Sequence, residues 1–273
     1  MQRVGLVFHP KIAEAHHLAK ESEAGLSALG ARPQMVSAWD EEAVARLAET
    51  SDLVVTFGGD GTIVRVARTV AVKGLPVLGV NMGRLGFLAE LQPWQVPQQL
   101  RAILNGEYWI EERMMLHADL KRDSAMVRSF EALNDVVAGR GRIARVVRVD
   151  THINDAYLTT YTADGVIVAS PTGSTAYSLA AGGPIVGPGM RALLLTPIAP
   201  HRTVAQSLVL PATASVRLAI STEYEATLTV DGHVDVPLGD GDEVWVAASK
   251  HVSRFVRFGD DGYFYQTLLE RLK

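Results

Sequence analysis

The chain has 273 residues, of which 48% are hydrophobic and 21% are charged, and its net charge is -4. This balance is typical of a globular protein with a substantial buried core. The absence of cysteine excludes disulfides and thiolate metal sites. The slightly acidic charge gives no electrostatic reason to expect nucleic acid as a partner. No window approaches the ~18 consecutive apolar residues of a membrane helix, so we expect a cytoplasmic protein with no membrane partner.

Up to residue 107, short apolar runs alternate with stretches of helical periodicity. The runs VGLVF, DLVVTF and PVLGV are predicted to be buried strands, and the stretches between and after them to be helices. Asp40 is placed to cap the helix that begins with EEAVARLAE. Repeated β-α units form a parallel sheet covered by helices. We therefore predict an α/β domain with a Rossmann-like parallel sheet over residues 1–107.

After residue 107 the sequence becomes rich in predicted strands. Turn residues in KRDSA and NDA separate extended candidates such as WIEERMMLHADL, ARVVRVDTHI and AYLTTYT. A helical stretch, TGSTAYSLAAGG, is followed by further strands near 208–220, 226–231 and 243–258. The final GYFYQTLLERLK is predicted to be a short helix. We predict a mostly-β domain over 108–258, with the helix in 259–273 packing back on the first domain.

The stretch VVTFGGDGTIVRVAR contains a glycine-rich turn between a predicted strand and helix. Gly58, Gly59 and Gly61 allow positive φ and a close approach of the backbone to a ligand, and a helix N-terminus favours phosphate. The pattern is neither a P-loop nor G-x-G-x-x-G. Asp60 is unexpected there, because a carboxylate repels phosphate, and it is a candidate for chemistry. The alternative is that Asp60 only caps the helix through its side chain.

Five motifs of the chain are distinctive: GGDGT with Arg65, GVNMGRLGFLAEL, ALNDVV, ADGVIVASPTGSTAYSLAAGGPIV and VDGH. Together they resemble the motifs of the NAD kinase family, in its bacterial form. GGDGT with Arg65 is shared more loosely with diacylglycerol kinases, sphingosine kinases and phosphofructokinases. ADGVIVASPTGSTAYSLAAGGPIV is similar to the most distinctive segment of NAD kinases, and GVNMGRLGFLAEL, ALNDVV and VDGH resemble further family blocks. The order and spacing of these blocks are also those of the family, over essentially the full chain.

The resemblance implies transfer of the terminal phosphoryl group of ATP, or of polyphosphate, to the 2'-hydroxyl of the adenosine ribose of NAD, which makes NADP. Asp60 would orient this hydroxyl and accept its proton. Mg²⁺ or another divalent cation would bridge the donor phosphates, and no metal ligand from the protein is predicted. Gly58, Gly59, Gly61 and Arg65 would hold donor or product phosphate.

Asn134 and Asp135 match an Asn-Glu pair that holds the adenosine ribose in the family. An amide beside a carboxylate suits a vicinal diol, although Asp135 is one methylene shorter than Glu. The resemblance extends the NAD contacts to Asp60, Gly61, Phe87, Arg145, Thr162, Asp164, Thr172, Thr175, Ala176, Tyr177, Ser178, Leu179, Ala180, Ala199 and His233.

Within this set, Asp164 and His233 would lie at the nicotinamide end, and TGSTAY would line the adenine pocket. The alternative for TGSTAY is a helix start capped by Thr172 or Ser174. Phe87 would pack beside the adenine, and the alternative for it is a position in the hydrophobic core.

Two other readings of the sequence stay open at this point. A lipid kinase would share GGDGT and the two-domain plan, but it would need an apolar acceptor cleft or a membrane-facing surface. A non-catalytic NAD(H) sensor could use the same scaffold, but it would not require a carboxylate next to phosphate. The resemblance also implies a homodimer or a homotetramer.

Overall fold

The computed structural model of the protein describes residues 2–84, 86–141, 146–201, 205–260 and 262–271. The chain divides into two compact units, the first formed by 1–112 with 251–273 and the second by 113–250. The predicted domains, 1–107, 108–258 and 259–273, remain predictions. Within the described ranges, no helix is both long and apolar enough to cross a membrane.

The first unit is built from β-α repeats followed by a return of the chain at its end. Its elements are β1 (Arg3–Phe8), α1 (Ala13–Ala28), β2 (Arg32–Ser37), α2 (Glu41–Thr50), β3 (Leu53–Gly58), α3 (Asp60–Ala71), β4 (Pro76–Asn81) and α4 (Val96–Asn105). A 3-10 turn at Pro93–Gln95 precedes α4.

The sheet of the first unit is parallel, with strand order β2-β1-β3-β4. All six residues of β3 are buried, which fits a strand covered on both faces by helices. The Asp40 carboxylate accepts the Ala43 N–H at 2.9 Å, so the predicted cap of α2 is confirmed. The prediction omitted β2, because this edge strand carries Pro33 and has no buried residue to give an apolar run.

The second unit consists almost entirely of strands. Its elements are β5 (Trp109–Arg122), which enters it from the first unit, β6 (Ala125–Ala132), β7 (Asp135–Arg140), β8 (Val147–Ile153), β9 (Ala156–Ala163), β10 (Gly165–Ala169), α5 (Tyr177–Ala180), β11 (Ala192–Ile198), β12 (Leu208–Pro211), β13 (Ser215–Ser221), β14 (Ala226–Val230), β15 (Val234–Leu238) and β16 (Glu243–Arg257). Beyond residue 250, β16 belongs to the first unit, where Arg254 and Phe255 pair in parallel with β4.

Antiparallel pairing organises the second unit into two layers. Six strands form a sheet in the order β12-β11-β10-β7-β14-β15, while β13 pairs with β8 and with residues 243–247 of β16. Alternate residues of the strands build the core between the layers: Val136 and Val166 belong to it, whereas Val137 and Ile167 lie in a second cluster. This period of two is the side-chain alternation of a β-strand.

Two-residue turns close two hairpins at the places where turn residues are predicted. Asp123 and Ser124 connect β5 to β6, and Asn154 and Asp155 connect β8 to β9, all four with positive φ. Two successive left-handed residues match the twist of the flanking strands. The predicted turns at KRDSA and NDA are therefore confirmed.

The last helix of the described chain is α6 (Tyr263–Arg271). The ring centroids of Phe264 and Phe87 lie 5.9 Å apart, and the Tyr263 hydroxyl donates to Glu111 at 3.1 Å. The α/β unit and the mostly-β unit confirm the predicted fold class. Strands β11 and β15 were absent from the prediction, and the stretch TGSTAYSLA forms only a 3-10 turn at Thr172–Thr175 and the four-residue α5.

Candidate active site

The glycine turn joins strand β3 to helix α3. Gly59 is the N-cap of α3 with φ -86° and ψ 179°, and Gly58, Gly59 and Gly61 are not among the positive-φ residues of the described chain. The turn therefore does not use the positive φ that its glycines allow. Gly58 is required for space instead, because a Cβ there would lie 2.6 Å from the Cβ of Thr62.

Asp60 is the first residue of α3, and its side chain does not cap the helix. Its Oδ2 accepts the Phe87 N–H at 2.6 Å and its Oδ1 accepts the Leu88 N–H at 3.2 Å. A carboxylate has about four lone-pair positions, so each oxygen keeps the capacity for a further hydrogen bond. Gly86 makes this arrangement possible, because a Cβ at residue 86 would collide with the Asp60 carboxylate. The sequence prediction missed Gly86, although it lies in the quoted motif GRLGFL.

Arg65 lies on α3, where its guanidinium meets an acidic side chain. Its Nη1 is 2.8 Å from Oε1 of Glu41, and its Cζ lies 5.1 Å from the ring centroid of Trp39. Its Nε is buried and has no hydrogen-bond partner within the described part of the chain. The predicted contact with phosphate stays a prediction, and in this conformation Arg65 shares the Glu41 carboxylate with Arg68, whose Nη2 lies 3.4 Å from the same oxygen.

Asn134 stands between strands β6 and β7, and its backbone is held from three sides. The Asp231 carboxylate accepts the N–H groups of Leu133, Asn134 and Asp135 at 2.9, 2.7 and 3.1 Å. The Ser170 N–H donates to the Asn134 carbonyl at 2.9 Å. Gly173 packs so closely on Asn134 that a Cβ would collide with its backbone.

Asp231 supplies this clamp from the turn between β14 and β15. It has φ +51° and is followed by Gly232 with φ +64°, a left-handed pair typical of a tight hairpin. Asp231 belongs to the motif VDGH, in which the sequence pattern predicted a role only for His233. The available signal was the Asp-Gly pair between two apolar strands.

Asp135 begins β7 and is 5% exposed. Burial is the main cause that raises the pKa of the Asp135 carboxyl from 3.8 to about 7, and the negative charge of Asp231 is the second. Near neutral pH the group therefore exchanges between a carboxylate that accepts and a carboxylic acid that also donates a hydrogen bond.

A cavity of about 540 Å³ opens beside Asn134 and Asp135. Arg140 and Asp164 face each other across an ion pair of 3.0 Å in its wall. Five residues that were predicted to contact NAD meet there, together with eight that were not. The first group is Asn134, Asp135, Asp164, Ala176 and Tyr177, and the second is Val137, Gly139, Arg140, Ile198, Thr227, Thr229, Asp231 and Gly232.

The segment TGSTAYSLA divides into buried and exposed positions. Tyr177 is 47% exposed, whereas Ser178 is fully buried and its hydroxyl pairs with that of Thr196 at 3.1 Å. Ser174 Oγ donates to the Val186 carbonyl and accepts its N–H, so neither Thr172 nor Ser174 acts as a helix cap. The buried Thr172 hydroxyl has no hydrogen-bond partner among the described residues.

Four other predicted contacts lie elsewhere or outside the described residues. Thr162 lines a different cavity, which it shares with Arg148. Ala199 directly follows Ile198, and His233 directly follows Gly232, two residues of the first cavity. Arg145 lies outside the described residues.

Leu179 is half-buried and Ala180 exposed, both on α5, and Thr175 donates to the Thr172 carbonyl at 3.4 Å. Among the residues that the structure describes, no three His, Asp or Glu side chains are grouped as ligands of one metal ion.

Comparison with protein families gives two matches that together cover most of the chain. Residues 4–108 match the ATP-NAD kinase N-terminal domain, and residues 133–258 match the ATP-NAD kinase C-terminal domain. An NAD kinase of Dehalococcoides mccartyi is 40% identical over 273 residues, covering 100% of this chain and 96% of the relative. An NAD kinase of Heliobacterium modesticaldum is 50% identical over 214 residues, covering 78% and 76% of the two chains.

Solved structures show the same relationship. Yeast NADH kinase complexed with NADH has a TM-score of 0.85 and 27% identity, covering 98% of this chain and 86% of the yeast chain. An NAD kinase from Archaeoglobus fulgidus in complex with ATP shares the fold, with a TM-score of 0.79, 24% identity, and coverage of 99% and 98%. The fold and these matches define a phosphotransferase that acts on a nucleotide. The chain belongs to the NAD kinase family. The lipid kinase and sensor alternatives find no support in these matches.

Proposed function

We propose that this NAD kinase transfers the terminal phosphoryl group of ATP to the 2'-hydroxyl of the adenosine ribose of NAD, with Asp60 as the proton acceptor. The observation that carries the proposal is the Asp60 carboxylate at the start of α3. Two backbone N–H groups hold it in one orientation, and each of its oxygens keeps the capacity to accept a further hydrogen bond. A fixed carboxylate of this kind suits the positioning that phosphoryl transfer requires.

The acceptor is proposed to bind at the cavity of the second unit. Asn134 and Asp135 would hold the adenosine ribose, because an amide and a carboxyl group together offer donors and acceptors to two neighbouring hydroxyls. Their backbone is clamped by Asp231 and Ser170, which supports a rigid ribose contact. The buried, unpartnered Thr172 hydroxyl and the exposed ring of Tyr177 support an adenine pocket in the same segment.

The proposed phosphoryl transfer is an in-line displacement at the terminal phosphorus of ATP. The 2'-oxygen of NAD forms a bond to the terminal phosphorus of ATP, while the bond between that phosphorus and the bridging oxygen breaks and ADP leaves. The proton of the 2'-hydroxyl passes to the Asp60 carboxylate late in the step. Gly58, Gly59, Gly61 and Arg65 are proposed to hold the donor phosphates, and Arg65 would have to exchange its partner Glu41 for phosphate.

We propose that a divalent cation, with Mg²⁺ as the first candidate, enters bound to the phosphates of the donor. It would not occupy a separate site formed by protein ligands. The described residues offer no group of three acidic or histidine ligands, so the residues present do not by themselves form a metal cage. Mg²⁺ commonly keeps its waters and binds through substrate phosphates. Bound in this way, it would neutralise charge on the phosphates.

The test is NADP formation by the purified protein with ATP, Mg²⁺ and NAD, with polyphosphate and NADH exchanged for ATP and NAD in turn. We expect NADP from ATP and NAD, and the exchanged arms decide the preferences for donor and acceptor. Asp40→Asn is a matched control for Asp60→Asn, because Asn caps a helix as well as Asp does. Absence of NADP under all donor conditions would contradict the proposal.

Two further predictions from the family resemblance belong to this proposal. We propose that the chain acts in the cytoplasm and assembles as a homodimer or a homotetramer. Light scattering of the purified protein at assay concentrations measures the assembly, and a monomeric mass would contradict it.

A further inference from the structure

Arg257 is a charged side chain at the end of β16 that is only 1% exposed. Burying a guanidinium is costly unless its charge and its donors are matched by partners. The partners of Arg257 therefore indicate its role.

Four hydrogen bonds fix the guanidinium in one orientation. Nε donates to Oε2 of Glu111 at 2.8 Å, Nη1 donates to the Leu88 carbonyl at 3.0 Å and to Oε2 of Glu90 at 3.2 Å, and Nη2 donates to the Tyr263 hydroxyl at 2.7 Å. The Tyr263 hydroxyl donates in turn to Glu111 at 3.1 Å. Only the planar, five-donor head of arginine satisfies acceptors in these three directions.

Glu90 ties the same two segments together a second time. Its Oε1 accepts the N–H groups of Phe258 at 2.8 Å and Gly259 at 3.2 Å. The segment 88–90 is thus fastened to residues 257–259 through a side chain from each. This double connection restricts how far the segment can move.

Leu88 connects this network to the candidate catalytic carboxylate. Its N–H donates to Asp60 at 3.2 Å and its C=O accepts from Arg257 at 3.0 Å. The neighbouring Phe87 N–H supplies the second and shorter bond to Asp60, at 2.6 Å. Any shift of the segment 87–88 therefore moves both donors that orient the carboxylate.

We propose that Arg257 is a positioning residue of the phosphoryl transfer, which acts by holding the segment 87–88 and through it the orientation of Asp60. The inference rests on the proposed role of Asp60. The Arg257 side chain is almost fully buried and its hydrogen bonds go to the protein, so its effect is expected in the chemical step rather than in NAD binding. A displacement of about 1 Å at a catalytic group costs up to ~10²-fold in rate.

The test is Arg257→Lys, which keeps one positive charge but cannot donate in three directions. We expect kcat to fall by about tenfold or more while the KM for NAD changes less than about twofold. Arg254→Lys is the matched control on the same strand. Arg254 also pairs with a glutamate, Glu112, at 3.1 Å and donates to a carbonyl, that of Gly74, at 3.1 Å. The control should retain the parent kcat.

Two readouts separate positioning from a merely structural role. Hydrogen exchange of the Phe87 and Leu88 amides should be faster in Arg257→Lys and unchanged in Arg254→Lys. In a double-mutant cycle, the loss caused by Arg257→Lys should vanish in the Asp60→Asn background, since residues that act as one unit are not additive. Tyr263→Phe removes one acceptor of Arg257 and should give a smaller loss of kcat with the same non-additivity. If Arg257→Lys does not fold, the Tyr263→Phe variant tests the positioning role in its place.

Each outcome distinguishes the inference from the proposed function. Parental turnover in Asp60→Asn would overturn the proposed catalytic role of Asp60, and the positioning role of Arg257 with it, whereas absence of NADP in the parent would overturn the proposed function. A large loss in Asp60→Asn, with an additive loss or none in the Arg257 and Tyr263 variants, would overturn only the positioning role. If the Phe87 and Leu88 amides exchange at the parental rate in Arg257→Lys and in Tyr263→Phe, the positioning role of Arg257 would also be overturned.

Discussion

Asp60 and Asp135 are two acidic side chains of the candidate site with opposite surroundings. Asp60 is half-buried and receives two backbone N–H groups. Asp135 is almost fully buried beside a second carboxylate, which disfavours its charged form. The first arrangement fixes the orientation of a carboxylate, and the second suits a group that binds a hydroxyl in either protonation state.

We expect Asp60→Asn to lower kcat by at least about 10²-fold, because the amide keeps the size of the side chain but loses the proton acceptor. NAD affinity should be largely retained, since most of its proposed contacts lie in the second unit. Calorimetry for NAD and turnover for NADP, on one preparation, measure both. Asn also offers its NH₂ group where a second acceptor is needed, so a modest loss of stability is expected. Turnover within a few-fold of the parent would leave Asp60 with a structural role only.

Asp135 gives the stability of the protein a definite dependence on pH. Its folded pKa of about 7 lies above the ordinary 3.8, so the folded state holds the proton more tightly than the unfolded state does. The stabilisation is fully present below about pH 4 and is lost as pH rises through about 7. In Asp135→Asn the side chain stays neutral, and the free energy of unfolding should decline less over this range.

Urea unfolding at a series of pH values between 4 and 8 measures the effect of Asp135→Asn. Asp155→Asn is the control, because it removes an exposed carboxylate from a turn. That variant should keep the slope of the parent. A parental slope in Asp135→Asn would show that the buried carboxyl does not carry this pH dependence.

At the scale of elements, the hairpin of β14 and β15 acts as a support for the cavity. Its turn carries Asp231, whose carboxylate accepts three backbone N–H groups. Two of them belong to Leu133 and Asn134, just before β7, and the third belongs to Asp135, the first residue of β7. The left-handed geometry of Asp231 and Gly232 sets the direction of the clamp. A change in the turn should therefore alter the ribose contact as well as the stability.

Gly232→Ala and Gly241→Ala form a matched pair for this element. Both glycines have positive φ, +64° and +81°, and a Cβ at either meets open space. Each substitution should lower the free energy of unfolding by about 1–2 kcal/mol, the cost of a left-handed non-glycine residue. Only Gly232→Ala should raise the KM for NAD, which the NADP assay measures. Equal KM values in the two variants would argue against a role of the hairpin in binding.

For the whole molecule, folding and metal-dependent turnover should separate. Chelation with EDTA should abolish NADP formation, because donor phosphates need charge neutralisation, and added Mg²⁺ should restore it. Thermal unfolding without substrates should keep its midpoint, since the described residues form no metal cage. A lower midpoint in EDTA would reveal a structural metal and contradict the proposed entry of the cation with ATP.

Much of the architecture could be predicted from local patterns. Strand β3 is buried throughout and gives an apolar run, and the turn residues at 123–124 and 154–155 mark their hairpins directly. Strand β2 could not be predicted in this way, because an edge strand with no buried residue lacks both the run and the alternation. Strand pairing in the six-stranded sheet also lies beyond local patterns, since β7 pairs with β10 and β14 rather than with its neighbours in the chain.

By itself, the sequence determined the family, the two kinds of unit and the motif residues, because short-range periodicity and motif order are properties of neighbouring residues. Only the tertiary structure decided what holds those residues. Asp231 clamps Asn134 across 97 positions, Leu88 holds Asp60 across 28, and Arg257 holds Leu88 across 169. These contacts depend on where separate loops and strand ends converge after packing. A backbone carbonyl or N–H carries no signature of its partner in the sequence, so the supports of the site were invisible until the fold placed them together.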